Sequence, residues 1–256
     1  MNFVAFETSS DTLSVAVTRG DVTTSEEIAD AGQKNSELTL PLMHRLLASS
    51  SLSLSEIDVV VFGQGPGSFT GVRIACGLAQ GLAFGLGKRV IALPTTLVLA
   101  KQAYANVDVS NPMSDHANII VAIDARMGEV YFAAYHRDES ADSGFVEVVA
   151  PMLTKPDQLP ELAGEWCAIG SAFSDMALHD AMFKNMNGKI QAVIEPSLPQ
   201  SYFLSAIARR LYSRLGDTCT IHSRDAAPIY LRNNVAMTIE ERRLFHAAKR
   251  QQQAAA

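Results

Sequence analysis

Cysteine is scarce in this chain, with three among 256 residues, at positions 76, 167 and 219. Their spacing shows no pairs, which argues against a disulfide framework and suits a reducing cytoplasm. The N-terminus lacks the basic segment of a secretory signal, and no uninterrupted apolar run reaches membrane-spanning length. We therefore expect a cytoplasmic protein that does not contact a membrane.

An excess of positive charge is also missing, because the formal net charge is −6. Phosphate contacts supply most of the affinity for nucleic acid, so strong independent binding of nucleic acid is not expected. Hydrophobic residues make up 48% of the chain, which is ample for a folded core. The length allows one large domain or two modest ones.

A glycine-rich turn, Gly63–Gly71, directly follows the apolar run Val59–Phe62. The run predicts a buried strand, and Ser68 or Thr70 can cap a helix after the turn. Backbone N–H groups exposed by such a turn suit either an anion or a close-packed neighbour. No Lys-Ser or Lys-Thr pair follows, and Ser68 stands where a dinucleotide fingerprint has its third glycine, so neither phosphate signature is present.

The predicted helix from Thr70 to Gly85 consists mainly of small residues. They form two stripes, one of Gly71, Ala75, Ala79 and Ala83, the other of Gly77, Gly81 and Gly85. Each glycine inside a helix costs roughly 1 kcal/mol relative to alanine, which is tolerable where another element packs very close. Two interpretations stay open: a core helix beneath a sheet, or a surface that meets a helix of another subunit.

An internal repeat organises the chain. The strand-like segments Asn2–Glu7 and Ile119–Asp124 both end in a carboxylate, and a second strand begins six residues after each acid. If this match is more than chance, the protein has two related α/β lobes, each opening with a β-hairpin. We expect an N-terminal lobe over residues 1–105, a C-terminal lobe over 106–225 and a tail over 226–256.

The remaining elements follow from the hydrophobic pattern and the turn residues. The polar stretch Asn106–Pro112 marks the lobe boundary. A helix capped by Asn35 or Ser36 is expected next, and it tolerates Pro41 only near its start. Further strands are expected at 22–27, 89–93, 146–149 and 166–169, and further helices at 202–215 and over the last twenty or so residues.

Three motifs carry a resemblance to a known family: Gly65–Arg73, Ala122–Tyr131 and Pro228–Asn234. In this order, and from the first strand to about Ala236, the chain resembles the TsaB family, also called YeaZ. The resemblance implies an α/β, actin/Hsp70/sugar-kinase-like (ASKHA) fold with two duplicated lobes. It also implies an accessory subunit for the synthesis of threonylcarbamoyladenosine (t6A) beside the anticodon of tRNA.

In that family the protein binds a related catalytic subunit, TsaD, and an ATPase subunit, TsaE, serves the pair. TsaD transfers the threonylcarbamoyl group from threonylcarbamoyl adenylate to N6 of the adenosine. This chain is therefore expected to contact tRNA only as part of the complex. The resemblance leaves open whether a nucleotide lies at a subunit interface. Without TsaD, the surface that binds it could support a symmetric homodimer.

The sequence offers no catalytic or metal-binding set of its own. The catalytic relative carries a His-x-x-x-His metal pair after the strand that follows the glycine helix, where this chain reads Leu93–Ala100, without histidine. Side chains of Thr, Leu and Ala cannot supply imidazole ligands. We therefore expect no cofactor and no independent enzyme. The docking face is expected on helices 36–48 and 70–85, through Leu38, Leu42, Arg45, Leu46, Arg73, Ala75, Gly77, Ala79, Gln80 and Gly81.

Glu7 and Asp124 allow two interpretations. In one, both carboxylates face a cleft between the lobes, where an anion or nucleotide would also meet Gly65, Gly67, Ser68 and Thr70. In the other, each acid caps its hairpin or pairs with a cation, Arg126 being the candidate for Asp124. The first interpretation supports an alternative function, a nucleotide-dependent kinase or ATPase that uses the cleft; metallopeptidase activity is a third.

Overall fold

Two five-stranded sheets with the same strand order form the framework of the protein. The computed structural model describes residues 1–31, 34–106, 118–195 and 197–232. The first sheet contains β1 (Asn2–Glu7), β2 (Leu13–Arg19), β3 (Val22–Ile28), β4 (Val59–Gly63) and β5 (Arg89–Leu93). The second contains β6 (Asn118–Asp124), β7 (Val130–Arg137), β8 (Phe145–Thr154), β9 (Trp166–Ile169) and β10 (Ile190–Val193).

Each sheet is an antiparallel three-stranded meander extended by two parallel strands. The first runs β3-β2-β1-β4-β5 and the second β8-β7-β6-β9-β10. In both sheets the first strand pairs antiparallel with the second and parallel with the fourth. The predicted duplication of an α/β lobe is therefore confirmed, and it is the topology that repeats.

Within the described ranges, five α-helices cover the sheets: α1 (Asn35–Ser49), α2 (Phe69–Leu86), α3 (Thr95–Asn106), α4 (Met176–Met186) and α5 (Ser201–Leu215). The central core contains side chains of both sheets together with those of α3 and α5, which lie between the sheets. The outer face of the first sheet carries α1 and α2, and that of the second carries α4. The outer helices are thus free to meet solvent or another protein on their far side.

The residue-by-residue match behind the repeat aligned opposite faces of β1 and β6, although on β2 and β7 it correctly pairs Ala16 with Ala133, both in the central core. Phe3 and Ala5 of β1 lie in the central core, and so do Ile119 and Val121 of β6. Aligning the two terminal acids, Glu7 and Asp124, instead pairs Ala5 with Ala122, which belongs to the outer core of the second lobe. Side chains alternate along a strand, so a shift of one residue exchanges the faces. Glu7 and Asp124 therefore do not occupy equivalent positions.

Two helices pack on the sheet of the lobe to which the prediction did not assign them. Helix α5, which the predicted division places in the second lobe, packs on β1 and β2 of the first sheet. Helix α3, which precedes that division, packs on β6 and β9. Residues 221 and 90 form a bridge that returns the chain to the first lobe after α5. Helices α3 and α5 thus each pack on the sheet of the opposite lobe, and the division at residues 106 and 225 stays a prediction.

The local predictions agree with the structure at the glycine turn and differ elsewhere. Ser68 caps α2, its hydroxyl accepting a hydrogen bond from the N–H of Gly71 at 3.4 Å. At α1 the predicted cap is wrong, because the N-cap is Lys34 and makes no side-chain bond, while Asn35 is already helical. Helices α3 and α4 and strand β10 were not predicted. The predicted lobe boundary after residue 106 and the predicted C-terminal helix lie outside the described residues.

Candidate functional site

The glycine turn is shaped by a close-packed neighbour, the β1–β2 connection. A Cβ atom on Gly71 would lie 1.8 Å from the carbonyl oxygen of Thr8, and one on Gly67 would lie 2.4 Å from that of Ser9. The N–H of Ser68 donates to the Ser9 carbonyl at 2.6 Å, and the Thr8 hydroxyl donates to the Gly71 carbonyl at 2.7 Å. These contacts support the interpretation that the glycines make room for a close-packed neighbour. Anion binding at Gly65, Gly67, Ser68 and Thr70 stays a prediction.

Glu7 does not face the cleft, so that part of the anion prediction is wrong. Its side chain is completely buried and accepts hydrogen bonds from the Ser9 N–H at 2.8 Å and the Thr95 hydroxyl at 3.3 Å. Burial raises the pKa of this carboxyl, and the hydrogen bonds from Ser9 and Thr95 only partly oppose that shift. A Cβ on Gly63 would lie 1.9 Å from a carboxyl oxygen of Glu7, so glycine is needed there. Glu7 therefore packs beneath the turn as a buried structural residue.

Asp124 lies at the edge of the cleft between the lobes and pairs with Arg126, as predicted. One carboxyl oxygen accepts from the Arg126 N–H at 2.7 Å and the other from its guanidinium at 3.0 Å. The cleft has a volume of about 550 Å³, and its lining includes the carboxylates of Asp11, Asp124 and Asp175 and one cation, Arg126. A lining with more carboxylates than cations disfavours a polyphosphate.

The stretch to which the resemblance assigns the metal pair of the catalytic relative is buried here and contains no histidine. Thr95 to Ala100 form the start of α3, and all six residues are buried between the sheets. Across the described ranges, no three His, Cys, Asp or Glu side chains are grouped closely enough to hold a metal ion.

The two stripes of α2 have different roles. Ala75, Ala79 and Ala83 are completely buried in the outer core of the first lobe. Gly77, Gly81 and Gly85 are exposed, and a Cβ atom at any of them would meet no described atom within 4 Å. The core interpretation is therefore confirmed for the alanine stripe, and contact with another subunit stays a prediction for the glycine stripe. By length and composition α2 could also cross a membrane, but its alanine stripe packs on the first sheet.

The predicted docking residues divide in the same way. Four of them cannot meet a partner in this conformation because they are buried in the chain's own core, namely Leu42, Leu46, Ala75 and Ala79. Leu38 is half-buried, and the Gln80 amide is engaged, donating to the Ala226 carbonyl at 2.8 Å. Arg45 is exposed and pairs with Glu26. Of the predicted residues, Arg45, Arg73, Gly77 and Gly81 remain exposed. Together with three further exposed residues of the same helices they are here named the α1–α2 face: Leu40, Arg45, Arg73, Gly77, Gly81, Phe84 and Gly85.

Residues 226–232, predicted to belong to the tail, instead cross the glycine turn and join the lobes; we call them the C-terminal strap. The Ile229 N–H donates to the Gln64 carbonyl at 2.7 Å, in the first lobe. Arg232 forms an ion pair with Glu129 at 2.7 Å and donates to the Ala125 carbonyl at 3.0 Å, both in the second lobe. All three motifs of the sequence resemblance thus meet at one place.

The duplicated sheets, with helices between and outside them, define a two-lobed α/β protein of the ASKHA class. A family model described as TsaD, tRNA N6-adenosine threonylcarbamoyltransferase, matches residues 27–255. The tRNA threonylcarbamoyladenosine biosynthesis protein TsaB of Escherichia coli K12 is 32% identical over 92% of this chain and 96% of its own length. The Haemophilus influenzae TsaB is also 32% identical, over 92% of this chain and 95% of its own.

Solved structures agree with these relatives. YeaZ from Pseudomonas aeruginosa superposes with a TM-score of 0.76 at 28% identity, over 90% of this chain and 99% of its own. A Pseudomonas aeruginosa protein described as similar to the peptidase YeaZ gives a TM-score of 0.77 at 28% identity, over the same shares of the two chains. The chain belongs to the TsaB (YeaZ) family, within the wider group that the TsaD model describes.

Proposed function

We propose that this chain is a non-catalytic subunit in the synthesis of threonylcarbamoyladenosine on tRNA and acts by binding the catalytic subunit TsaD through the α1–α2 face. The relatives named for this pathway support the process. The observation that carries the role is the exposed glycine stripe of α2.

The stripe is unexplained by the chain's own packing. Gly77 and Gly81, in the interior of the helix, together destabilise it by about 2 kcal/mol relative to alanine. Nothing among the described residues approaches them, so no close contact within the chain compensates for that loss. A helix of another subunit could approach the α2 backbone closely along this stripe. Phe84, which is 81% exposed beside it, supplies an apolar anchor for such a contact.

The residues support a scaffolding role over a catalytic one. The position of the metal pair is occupied by buried Thr, Leu, Val and Ala residues in α3. The acid predicted to face the cleft, Glu7, is sealed inside the first lobe. A kinase or ATPase would need groups that hold a triphosphate, and the charged residues of the cleft lining are three aspartates and one arginine. Calorimetry with Mg-ATP tests that alternative, and clear heat of binding by the chain alone would favour it.

In the proposed assembly TsaD carries the transfer chemistry, TsaE joins the pair, and tRNA is bound only by the complex. The net charge of −6 agrees with a chain that does not bind tRNA by itself. An interface of stable type on the α1–α2 face should bury on the order of 1,200–2,000 Å² in total. In the absence of TsaD the same face would support a symmetric homodimer.

The test is the association of the purified chain with TsaD, measured by gel filtration and calorimetry. Gly77→Glu places a charged side chain on the exposed stripe and should abolish the complex without unfolding the chain, since the site is open. Ala177→Glu, at an exposed position of α4, is the matched control and should bind as the wild type does. A Gly77→Glu complex of unchanged affinity would refute the assignment. Ala79→Arg is unsuitable, because Ala79 is in the core.

A further inference from the structure

Arg73 is held in place more firmly than is usual for an exposed arginine. Its guanidinium carbon lies 3.4 Å from the centre of the Phe69 ring and 5.4 Å from that of Tyr230. Its Nε donates a hydrogen bond to the Tyr230 hydroxyl at 2.8 Å. The two rings, with centres 6.1 Å apart and planes inclined by 43°, form an open cradle around the guanidinium.

The strap fixes this cradle from the other side. Tyr230 follows Ile229, whose N–H is bonded to the Gln64 carbonyl at 2.7 Å, and precedes Arg232, which is ion-paired with Glu129. The Arg232–Glu129 pair is largely shielded, with side chains 17% and 29% exposed. Tyr230 is therefore supported on both sides along the chain. This support explains why a residue so far from α2 in sequence can orient Arg73.

The cradle uses only one of the three guanidinium nitrogens. Among the described residues, neither terminal nitrogen of Arg73 has a hydrogen-bond or ion-pair partner. These two nitrogens form the planar fork that binds a carboxylate or phosphate through two parallel hydrogen bonds. An arginine whose rotamers are already restricted loses less entropy on binding than a free one.

We propose that Arg73 is a preorganised anchor for a carboxylate side chain of the catalytic subunit and that Tyr230 is its positioning residue; this proposal rests on the proposed function. Arg73 lies on α2 in line with the exposed glycine stripe, so a helix docked on the stripe would pass its fork. A protein carboxylate is favoured over nucleic acid because Arg73 is the only charged residue in α2. A nucleic-acid surface would need several free cations.

The test is the affinity of the full chain for purified TsaD at low and high salt, without nucleotide. Arg73→Met should weaken binding about 10- to 100-fold and reduce its salt dependence, as expected for a charge-assisted pair. Arg73→Lys should recover only part of the loss, because lysine lacks the fork. Arg214→Met, on α5 at the opposite face of the first sheet, is the control and should bind normally.

A double-mutant cycle tests the positioning role. Tyr230→Phe keeps the ring, removes the hydroxyl that accepts from the Arg73 guanidinium and should weaken binding about 2- to 10-fold, less than the loss of the charge itself. The same change in the Arg73→Met background should have no effect, whereas a merely structural role would produce the same loss in both backgrounds. Thermal melts of the isolated variants should match the wild type, which excludes misfolding as the cause.

The outcomes separate the two proposals. If the wild type binds TsaD and Arg73→Met binds equally well, the anchor is refuted and the docking face stands. If Arg73→Met loses affinity only when ATP is added, the fork holds a nucleotide phosphate and the carboxylate assignment is wrong. If the wild type does not bind TsaD at all, both proposals fail.

Discussion

The same substitution, glycine to alanine, should have opposite effects at two positions of one helix. Gly71 and Gly77 both lie in α2, less than two turns apart. At Gly71 the new methyl group would lie 1.8 Å from the Thr8 carbonyl oxygen and 2.9 Å from its carbon. At Gly77 it would point into open space. The pair therefore separates a glycine required by the fold from one that the fold alone does not require.

The expected changes in the free energy of unfolding follow from helix propensity and from overpacking. Alanine gains roughly 1 kcal/mol over glycine inside a helix, and this gain applies in full at Gly77. At Gly71 the backbone of the β1–β2 connection must move, and overpacking of this kind typically costs about 1–3 kcal/mol or more. The Thr8–Gly71 hydrogen bond at 2.7 Å would also be disturbed. We expect Gly77→Ala to stabilise the isolated chain by up to about 1 kcal/mol and Gly71→Ala to destabilise it by about 2 kcal/mol.

Urea denaturation of the purified chain, followed by circular dichroism, gives both free energies of unfolding. The binding assay should show the opposite effect for Gly77→Ala. This variant should bind TsaD more weakly although the isolated chain is more stable, because the added methyl group separates α2 from the docked helix of TsaD. If Gly71→Ala were as stable as the wild type, the close approach of the turn to Thr8 would be wrong. If Gly77→Ala bound TsaD more tightly, the close helix contact at that glycine would be wrong.

Two further predictions concern buried polar groups. Burial raises the pKa of Glu7 above its ordinary value of 4.5, so the unfolded state ionises first and the free energy of unfolding falls as the pH rises beyond that value. Glu7→Gln removes this dependence, so its stability relative to the wild type should increase from pH 5 to pH 8 in urea titrations; a constant difference would contradict the raised pKa. Tyr135→Phe leaves the buried Thr96 hydroxyl without its 2.8 Å partner and should cost about 1–3 kcal/mol in the same titrations. The double variant with Thr96→Val should recover part of that loss, and failure to recover any would mean that the bond is not the cause.

The sequence was most informative where structure is determined locally. Strand β4, the turn and α2 were predicted together, because an apolar run, a glycine turn and the Ser68 cap follow one another. Helix α3 was missed for a physical reason. Residues 95–100 are buried on every side, so they show no amphipathic period.

Long-range packing was beyond the sequence pattern. Whether α5 packs on the first or the second sheet depends on the path of the chain, which the sequence of that helix does not encode locally. The burial of Glu7 was missed for the same reason, although the need for glycine at Gly63, beside it in space, was a usable signal. The link between Arg73 and Tyr230 spans 157 positions. Only the neighbouring Phe69, four residues before Arg73 on the same helix, could have been predicted.

The glycine stripes show both the strength and the limit of pattern reading. Their spacing predicted two stripes along α2, and the structure has both. Spacing could not say which stripe the sheet covers, so Ala75 and Ala79 were assigned to a partner although they pack in the core. Exposure separates the stripes, and it leaves the glycines at 77, 81 and 85 as the docking candidates.

The central claim is that this chain serves by holding a catalytic relative through the α1–α2 face. Its most direct test is reconstitution of threonylcarbamoyladenosine synthesis on tRNA from purified TsaD, TsaE and the threonylcarbamoyl donor, with and without this chain. We expect modification only when the chain is present, restored fully by Ala177→Glu and not by Gly77→Glu. Equal modification without the chain, or full activity with Gly77→Glu, would contradict the account.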